Sequence, residues 1–372
     1  MSDALLVSSS FLPGRGGIES HLSSLCAALS PRLAVLAPAT RDGRPLPRDL
    51  GYPTRPMRGS GLLPHPGVAR EIMEAAASEG TDRVLFGTPW PLSLLGPRLA
   101  SAGLRYAVVI HGAETLLPGA MPFVRGRLAH ALARAELLLP VSDFTARRLE
   151  AMLASRDPAP PFALLRARVD LDRFTPSPPS AEMRERLGLG DDDRVVLFFG
   201  RLVRRKGAHR LVEAYEDLAA RVPNLTIVIA GTGREESNLR GLARARAARV
   251  TFAGPVRDED APALYSVADV FAFPVADRWA GLDTEGLGVV LLEASASGLP
   301  CVTGRSGGTP EAVVHPESGF VVDARNRDEL VHALARVLDD RANAERMGRA
   351  GRRHVAHNFA SAAPRALLDW LT

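Results

Sequence analysis

Two glutamates, Glu285 and Glu293, stand with seven residues between them, the turn Gly286-Leu-Gly288 and the apolar run Val289–Leu292. A helix beginning near Gly288 points the turn's backbone N–H groups out of its N-terminus, where an anion is favoured. Glu285 then stands at the mouth of the turn and Glu293 lies further along the helix. Carboxylates suit hydroxyl-rich ligands because each accepts several hydrogen bonds. A lone charge among Val289–Leu292 and Ala294 is costly, so Glu293 serves either a polyol ligand or a buried structural ion pair.

A second group is cationic. Gly200-Arg-Leu-Val-Arg-Arg-Lys-Gly207 follows the apolar run Val195–Phe199, and Lys206 is the only lysine among 46 basic residues. A chain that uses arginine elsewhere has a compact ammonium here, which suits a point contact with phosphate. A solvated basic loop is the plain alternative, and the position at a strand end favours a diphosphate. Pro13-Gly-Arg-Gly-Gly-Ile18 joins the first strand to the first helix, either as a plain turn or as a loop in which backbone approaches a phosphate. Gly231-Thr-Gly-Arg-Glu235 is read as a structural strand-to-helix turn bordering the site. His111 closes the run Tyr106–Ile110, where a structural role and a ligand contact both stay open.

Other strings fail. Asp170-Leu-Asp172 matches a D-x-D metal string, but two-letter patterns recur by chance and this one sits beside a linker. Asp191-Asp-Asp193 reads as a solvated turn. A serine hydrolase lacks its G-x-S-x-G elbow. Aromatic residues make up 5% of the chain and never interleave with arginine, which argues against nucleic-acid binding.

These residues need elements to position them. Short β-rich runs alternate with amphipathic helical stretches, which predicts an α/β fold with parallel sheets. In the first half strands are expected at Ala4–Ser9, Leu33–Ala37, Arg83–Gly87, Tyr106–Ile110, Leu137–Val141 and Phe162–Leu165, with helices at Ile18–Leu29, Gly67–Ser78, Pro91–Ala102, Val124–Ala135 and Phe144–Leu153. Phe174-Thr-Pro-Ser-Pro-Pro-Ser180 can continue neither helix nor sheet. The boundary is therefore set there: residues 1–175 form one Rossmann-like domain, residues 176–356 a second, and a C-terminal helix over 357–372 packs back on the first. Strands restart at Arg194–Phe199, Thr226–Ala230, Val250–Phe252, Val270–Phe273, Cys301–Thr303 and Phe320–Val322, with helices that include His209–Ala220, Gly288–Ser297 and Pro310–Val314. Ligands of such sheets bind beyond the carboxyl ends of the strands, so two facing sheets predict a cleft between the domains as the site.

At 372 residues, 46% of them hydrophobic, the chain can bury two cores. No apolar run reaches the roughly 18 residues of a membrane span. Met1-Ser-Asp3 lacks the start of a signal peptide, and Cys26 and Cys301 alone make neither a disulfide framework nor a metal cage. A reduced, cytoplasmic protein is expected. The net charge of +4 comes almost wholly from arginine usage and is weak evidence for an anionic partner.

Together these segments resemble the GT4 family of retaining GT-B glycosyltransferases, and within it the phosphatidylinositol mannoside mannosyltransferases that use GDP-mannose. The resemblance spans nearly the whole chain and is carried by Glu285…Glu293, Arg15-Gly-Gly-Ile-Glu-Ser-His-Leu22, Ser142-Asp-Phe-Thr145, Arg201-Leu-Val-Arg-Arg-Lys-Gly207, Gly281-Leu-Asp-Thr-Glu-Gly-Leu-Gly288 and Ser306-Gly-Gly-Thr-Pro-Glu311. It implies transfer with retained configuration, without a metal, a cofactor or an enzymic nucleophile. Arg201 and Lys206 would hold the donor diphosphate and stabilise the leaving group. Glu285 would accept hydrogen bonds from the donor sugar, with Gly286, Leu287 and Gly288 presenting backbone groups to it, and Glu293 would grip the ribose. Gly254 and Val256 would border the base, Gly16 and Gly17 would lie against the diphosphate, and His111 would contact the transferred sugar.

Two departures fall on the acceptor side. This chain has His111-Gly-Ala-Glu114 where the subgroup reads H-G-H-E, and Arg168-Val-Asp170 where it reads G-V-D. The acceptor is therefore left open between a phosphoinositide-type lipid and a small soluble molecule. In the lipid case the protein would be peripheral to the inner face of the membrane. The segment Pro122–Arg134 would then touch anionic headgroups, or else pack as an ordinary helix with a solvated edge. A nucleotide-sugar epimerase on the same fold is a further alternative, set back by the paired glutamates.

Overall fold

The computed structural model describes residues 2–372 except 15, 42, 48, 59–62, 113–120, 156–158 and 362. Two compact units emerge, one built from Met1–Arg168 with Ser361–Thr372, the other from Val169–Ala360. The proline-rich segment Phe174–Ser180 thus lies inside the second unit.

The first unit holds β1 (Ala4–Val7), β2 (Leu33–Pro38), a small antiparallel ribbon β3 (Thr40–Arg41) and β4 (Arg44–Pro45), then β5 (Thr54–Met57), β6 (Arg83–Phe86), β7 (Arg105–Ile110) and β8 (Leu137–Pro140). Six of these make one sheet in the order β5-β2-β1-β6-β7-β8, and all its pairings are parallel. β1, β2 and β8 are buried at every residue, as expected of parallel strands covered on both faces. One apolar cluster packs on each face, the first around Ile72, Leu99 and Leu128, the second around Leu22, Leu25 and Leu367. The helix Pro66–Glu79 starts where the His65 side chain accepts from the Gly67 N–H and stops at Gly80, whose φ of 73° is left-handed.

The second unit repeats this plan with β9 (Arg194–Phe199), β10 (Leu225–Ala230), β11 (Val250–Gly254), β12 (Val270–Phe273), β13 (Cys301–Gly304) and β14 (Gly319–Val322). Their parallel sheet runs β11-β10-β9-β12-β13-β14. Counted within each unit's six-stranded sheet, both orders are third, second, first, fourth, fifth, sixth, the doubly wound order that places ligands at strand carboxyl ends.

Several expected elements differ. Phe162–Leu165 is not a strand: Phe162 makes one isolated bridge to Leu138, and Pro160-Pro161 cannot donate to a ladder. β5 is additional to the expected strands; it contains Pro56, which an edge strand tolerates. The helix Ala181–Leu187 is likewise additional, capped by the Ser180 side chain at the Met183 N–H. Pro91–Ala102 resolves into a 3-10 turn, Leu92–Leu95, and the helix Gly96–Ser101. His209–Ala220 breaks at Ala214 into Ala208–Glu213 and Tyr215–Ala219, and Pro310–Val314 is a 3-10 turn over Thr309–Ala312. Among the described residues no helix is long and apolar enough to cross a membrane.

Candidate active site

In the second unit the loop after β9 folds as a 3-10 turn, Arg204–Lys206, and ends at Gly207. Gly207 has φ of 84°, and a Cβ there would lie 2.0 Å from the Pro274 carbonyl oxygen. Only glycine lets this loop lie directly on the segment that follows β12. The result places the Lys206 Nζ 2.6 Å from Glu285 Oε2 and 4.7 Å from the centre of the Phe273 ring. Arg205 donates to the same Glu285 oxygen, and its Nε lies 2.8 Å from Asp283 Oδ1.

Four charged groups are thus packed with little solvent; the side chains of Arg205, Lys206 and Glu285 are 10%, 12% and 13% exposed. Burial alone raises the Glu285 carboxyl, but Lys206 and Arg205 outweigh it and hold the group at about 2. Burial lowers the Lys206 ammonium more than Glu285 restores it. Arg205 is also opposed by burial, yet Glu285 and Asp283 together leave it above its ordinary value.

The Glu285 backbone is fixed as firmly as its side chain. Its N–H donates to Ser306 Oγ at 3.2 Å, and its carbonyl accepts from the Gly308 N–H at 3.0 Å. Ser306 Oγ in turn donates to Asp277 Oδ1 at 2.5 Å. Between them Gly307 takes φ of 55°, with its Cβ position 1.8 Å from the Glu285 carbonyl oxygen. The Ser306-Gly-Gly308 turn therefore clamps this peptide from both sides. Downstream, Gly286 and the buried Leu287 lead to Gly288, whose φ of 84° caps the helix Val289–Ala296. The first amides of that helix have no intrahelical acceptor.

Glu293 sits on the same helix and accepts from the Tyr265 hydroxyl at 2.8 Å. Burial raises its carboxyl to about 7, against the opposing Tyr265 hydrogen bond. The loop after β10 packs on the loop after β9: Cβ positions at Gly231 and Gly233 would lie 2.1 Å from the Gly200 oxygen and 2.3 Å from the Leu202 oxygen. Gly231-Thr-Gly-Arg-Glu235 is therefore structural, as its sequence suggests, but the packing also brings Arg234 to a pocket of about 380 Å³. Arg201, Val203, Arg205, Arg278 and Asp283 line that pocket too. Gly254, at the end of β11, takes φ of 69° and accepts from the Gly231 N–H at 2.7 Å, with the half-buried Val256 two residues on.

In the first unit Gly16 precedes and Gly17 begins the helix Gly17–Ala28, and a Cβ at Gly17 would meet nothing within 4 Å. His111 follows β7, its Nε2 lying 3.2 Å from the Gly87 carbonyl oxygen. Its ring meets His21 edge to face, centroids 5.2 Å apart. Burial lowers the His21 imidazole to about 4, and burial followed by His21 lowers His111 well below its ordinary value, so both rings are neutral at pH 7. Arg15, Ala113 and Glu114 lie outside the described residues.

Arg201, Lys206 and Glu285 are thus gathered at the carboxyl ends of one sheet, while Gly16, Gly17 and His111 belong to the other unit. The sequence did not single out Arg205, Arg234, Arg278, Asp283 or Tyr265. Arg205 and Asp283 lie inside motifs that had been noticed, but only the fold reveals their pairing. Asp170 Oδ1 accepts from the Asp172 and Arg173 N–H groups, closing a local turn. Among the described residues no cluster of three or more His, Cys, Asp or Glu could hold a metal ion.

Comparison with known proteins identifies the family. Residues 179–354 match the family described as glycosyl transferases group 1. The chain is 38% identical over 366 residues to a GDP-mannose-dependent alpha-(1-6)-phosphatidylinositol monomannoside mannosyltransferase of Mycobacterium tuberculosis, covering 95% of this chain and 94% of that one. It is 35% identical over 360 residues to the corresponding monoacylated-substrate enzyme of Corynebacterium glutamicum, covering 94% and 92%. In fold it is similar to sucrose-phosphate synthase from Thermosynechococcus elongatus, with a TM-score of 0.77 at 21% identity over 96% of this chain and 94% of that one. Both units are thus the Rossmann-like halves of a GT-B fold, and the chain belongs to the group 1 glycosyltransferase family as a hexosyltransferase.

Proposed function

We propose that the protein transfers mannose from GDP-mannose, with retained anomeric configuration, to a hydroxyl of a phosphatidylinositol mannoside-type acceptor. The contact of Lys206 Nζ with Glu285 Oε2 at 2.6 Å carries this reading, because it joins a phosphate-binding cation to a sugar-binding carboxylate at one strand-end site. Arg201 and Lys206 hold the diphosphate. As the bond from the sugar to the diphosphate breaks, charge grows on the departing GDP, and fixed cations there lower the barrier without a metal ion. Glu285 accepts from the mannose hydroxyls, and the amides of Gly286, Leu287 and Gly288 face the sugar and phosphate. Glu293 accepts from the ribose diol, Gly254 and Val256 border the base, Gly16 and Gly17 approach the diphosphate, and His111 contacts the transferred sugar as a neutral imidazole. Supplied with phosphatidylinositol mannoside and GDP-, UDP-, ADP- or dTDP-hexoses, the protein yields a hexosylated lipid only from GDP-mannose; product from a UDP-sugar alone overturns the donor assignment.

The lipid acceptor places the protein at the inner membrane surface. Met121 and Phe123 are 52% and 75% exposed at the start of the helix Pro122–Ala133, beside Arg125 and Arg127, while Leu128 and Leu132 anchor its other end in the core. Exposed apolar side chains flanked by arginine suit an anionic lipid surface. In low salt the protein sediments with anionic vesicles. Equal recovery in the supernatant with and without vesicles favours a soluble acceptor instead.

A further inference from the structure

We infer that Arg205, held by Asp283, is the positioning residue that keeps Glu285 in its sugar-binding place when Lys206 turns to the donor diphosphate. The inference rests on the reading of Glu285 as a ligand of the donor sugar and extends it to a residue that need not touch the sugar.

In the structure both Arg205 and Lys206 reach the same carboxylate oxygen, Oε2 of Glu285. One oxygen shared by two cations differs from a simple ion pair in what happens when one partner leaves. Lys206 has a flexible stem, and its ammonium is the group drawn to a diphosphate. If Lys206 were the sole partner, donor binding would strand a buried carboxylate. Arg205 prevents this. Its guanidinium is planar and forked, so it can bind Asp283 through Nε at 2.8 Å and Glu285 through a terminal nitrogen at once. Its backbone is also fixed, because its carbonyl accepts from the Ala276 N–H at 3.1 Å. Arg205 is 9% exposed, and Asp283 is tied by two backbone hydrogen bonds to Arg278, at 3.0 and 3.2 Å. With Ser306 and Gly308 gripping the Glu285 backbone, Arg205 completes a rigid mount in which only Lys206 is free to change partner.

A positioning role separates two ligands that share every contact except the sugar. Binding of GDP and of GDP-mannose is measured for the wild type, Arg205→Ala, Glu285→Gln, the double variant, Arg205→Lys and Asp283→Asn. Arg205→Ala weakens GDP-mannose about tenfold or more and leaves GDP within about twofold, and adding it to Glu285→Gln brings no further loss, the signature of two coupled groups. Asp283→Asn shows a smaller loss of the same selective kind. Arg205→Lys recovers only part of the affinity, because a single ammonium cannot span both carboxylates. Equal weakening of GDP and GDP-mannose by Arg205→Ala, or additive losses in the double variant, overturns the inference and makes Arg205 a phosphate ligand or a merely structural group. If Arg205→Ala does not fold, Arg205→Lys and Asp283→Asn decide by the same selectivity. A Glu285→Gln variant that binds GDP-mannose like the wild type instead removes the underlying reading of Glu285.

Discussion

At the carboxyl ends of the first sheet two imidazoles, His21 and His111, meet edge to face and are both kept neutral by burial. At the carboxyl ends of the second sheet Arg205, Lys206, Asp283 and Glu285 crowd four charges into a space of similar seclusion. The strand orders are the same in both units, so backbone architecture does not create the difference. Burial does opposite things in the two places because of what accompanies it. Where desolvation outweighs the attractions around it the titratable group discharges, and where opposite charges are packed closely together it stays ionised. A fold thus supplies two like platforms, and the residues on each decide whether it handles charge or avoids it.

The largest test of that contrast is activity. Lys206→Ala removes one partner of Glu285 and, on the proposed reading, the cation for the leaving diphosphate, so kcat is expected to fall about 1,000-fold. His111→Ala, made in the neutral site, lowers kcat about 10- to 100-fold and leaves GDP affinity within about twofold. Steady-state turnover and GDP titration of the two variants check both values; equal losses of GDP affinity would break the contrast.

Backbone crowding gives the next largest effect. Gly207→Ala forces a Cβ onto the Pro274 carbonyl at a left-handed φ, and unfolding in denaturant shows a loss of about 3 kcal/mol or more. Gly17→Ala meets open space at the first residue of a helix, so its stability stays within about 1 kcal/mol of wild type. Donor affinity nevertheless falls if the diphosphate lies against that backbone.

The pH dependence of stability sharpens the comparison further. His21 has a folded value near 4, below its ordinary 6.5. The unfolded chain therefore takes up the proton first, and stability declines as pH falls from about 6.5 towards 4, by roughly 3 kcal/mol from this residue. His21→Asn flattens the curve in that window. Glu285 behaves in the acid-side sense of a depressed carboxylate: its stabilising contribution is present above about 4.5 and is lost as pH falls towards 2. Unfolding midpoints of wild type and His21→Asn between pH 7 and 4 test the assignment, and parallel curves would contradict it.

Much of this was legible before any coordinates. The six apolar runs of the second half stand out because parallel strands covered on both faces are apolar along their length, and Lys206 stands out because no other lysine exists. Glu285 announces itself through the glycines beside it. The pairing of Arg205 with Asp283 does not, because it joins residues about eighty positions apart and nothing in a run of arginines says which one is buried. Tyr265 is hidden for the same reason, being one more aromatic until the fold turns its hydroxyl to Glu293. β5 escapes because Pro56 marks a break in sequence yet costs little at a sheet edge.

The chain's last residues carry a consequence for how the molecule is made. Leu367 and Leu371 are buried in the first unit's core, and the Trp370 indole N–H donates to Glu136 Oε2 at 2.9 Å. A ribosome therefore releases the first sheet with one face of its core unfinished and completes the whole second unit before the closing hydrophobic residues emerge. The amino-terminal half waits through translation of nearly two hundred residues, and the order of synthesis is the reverse of the order in which the two halves can become complete.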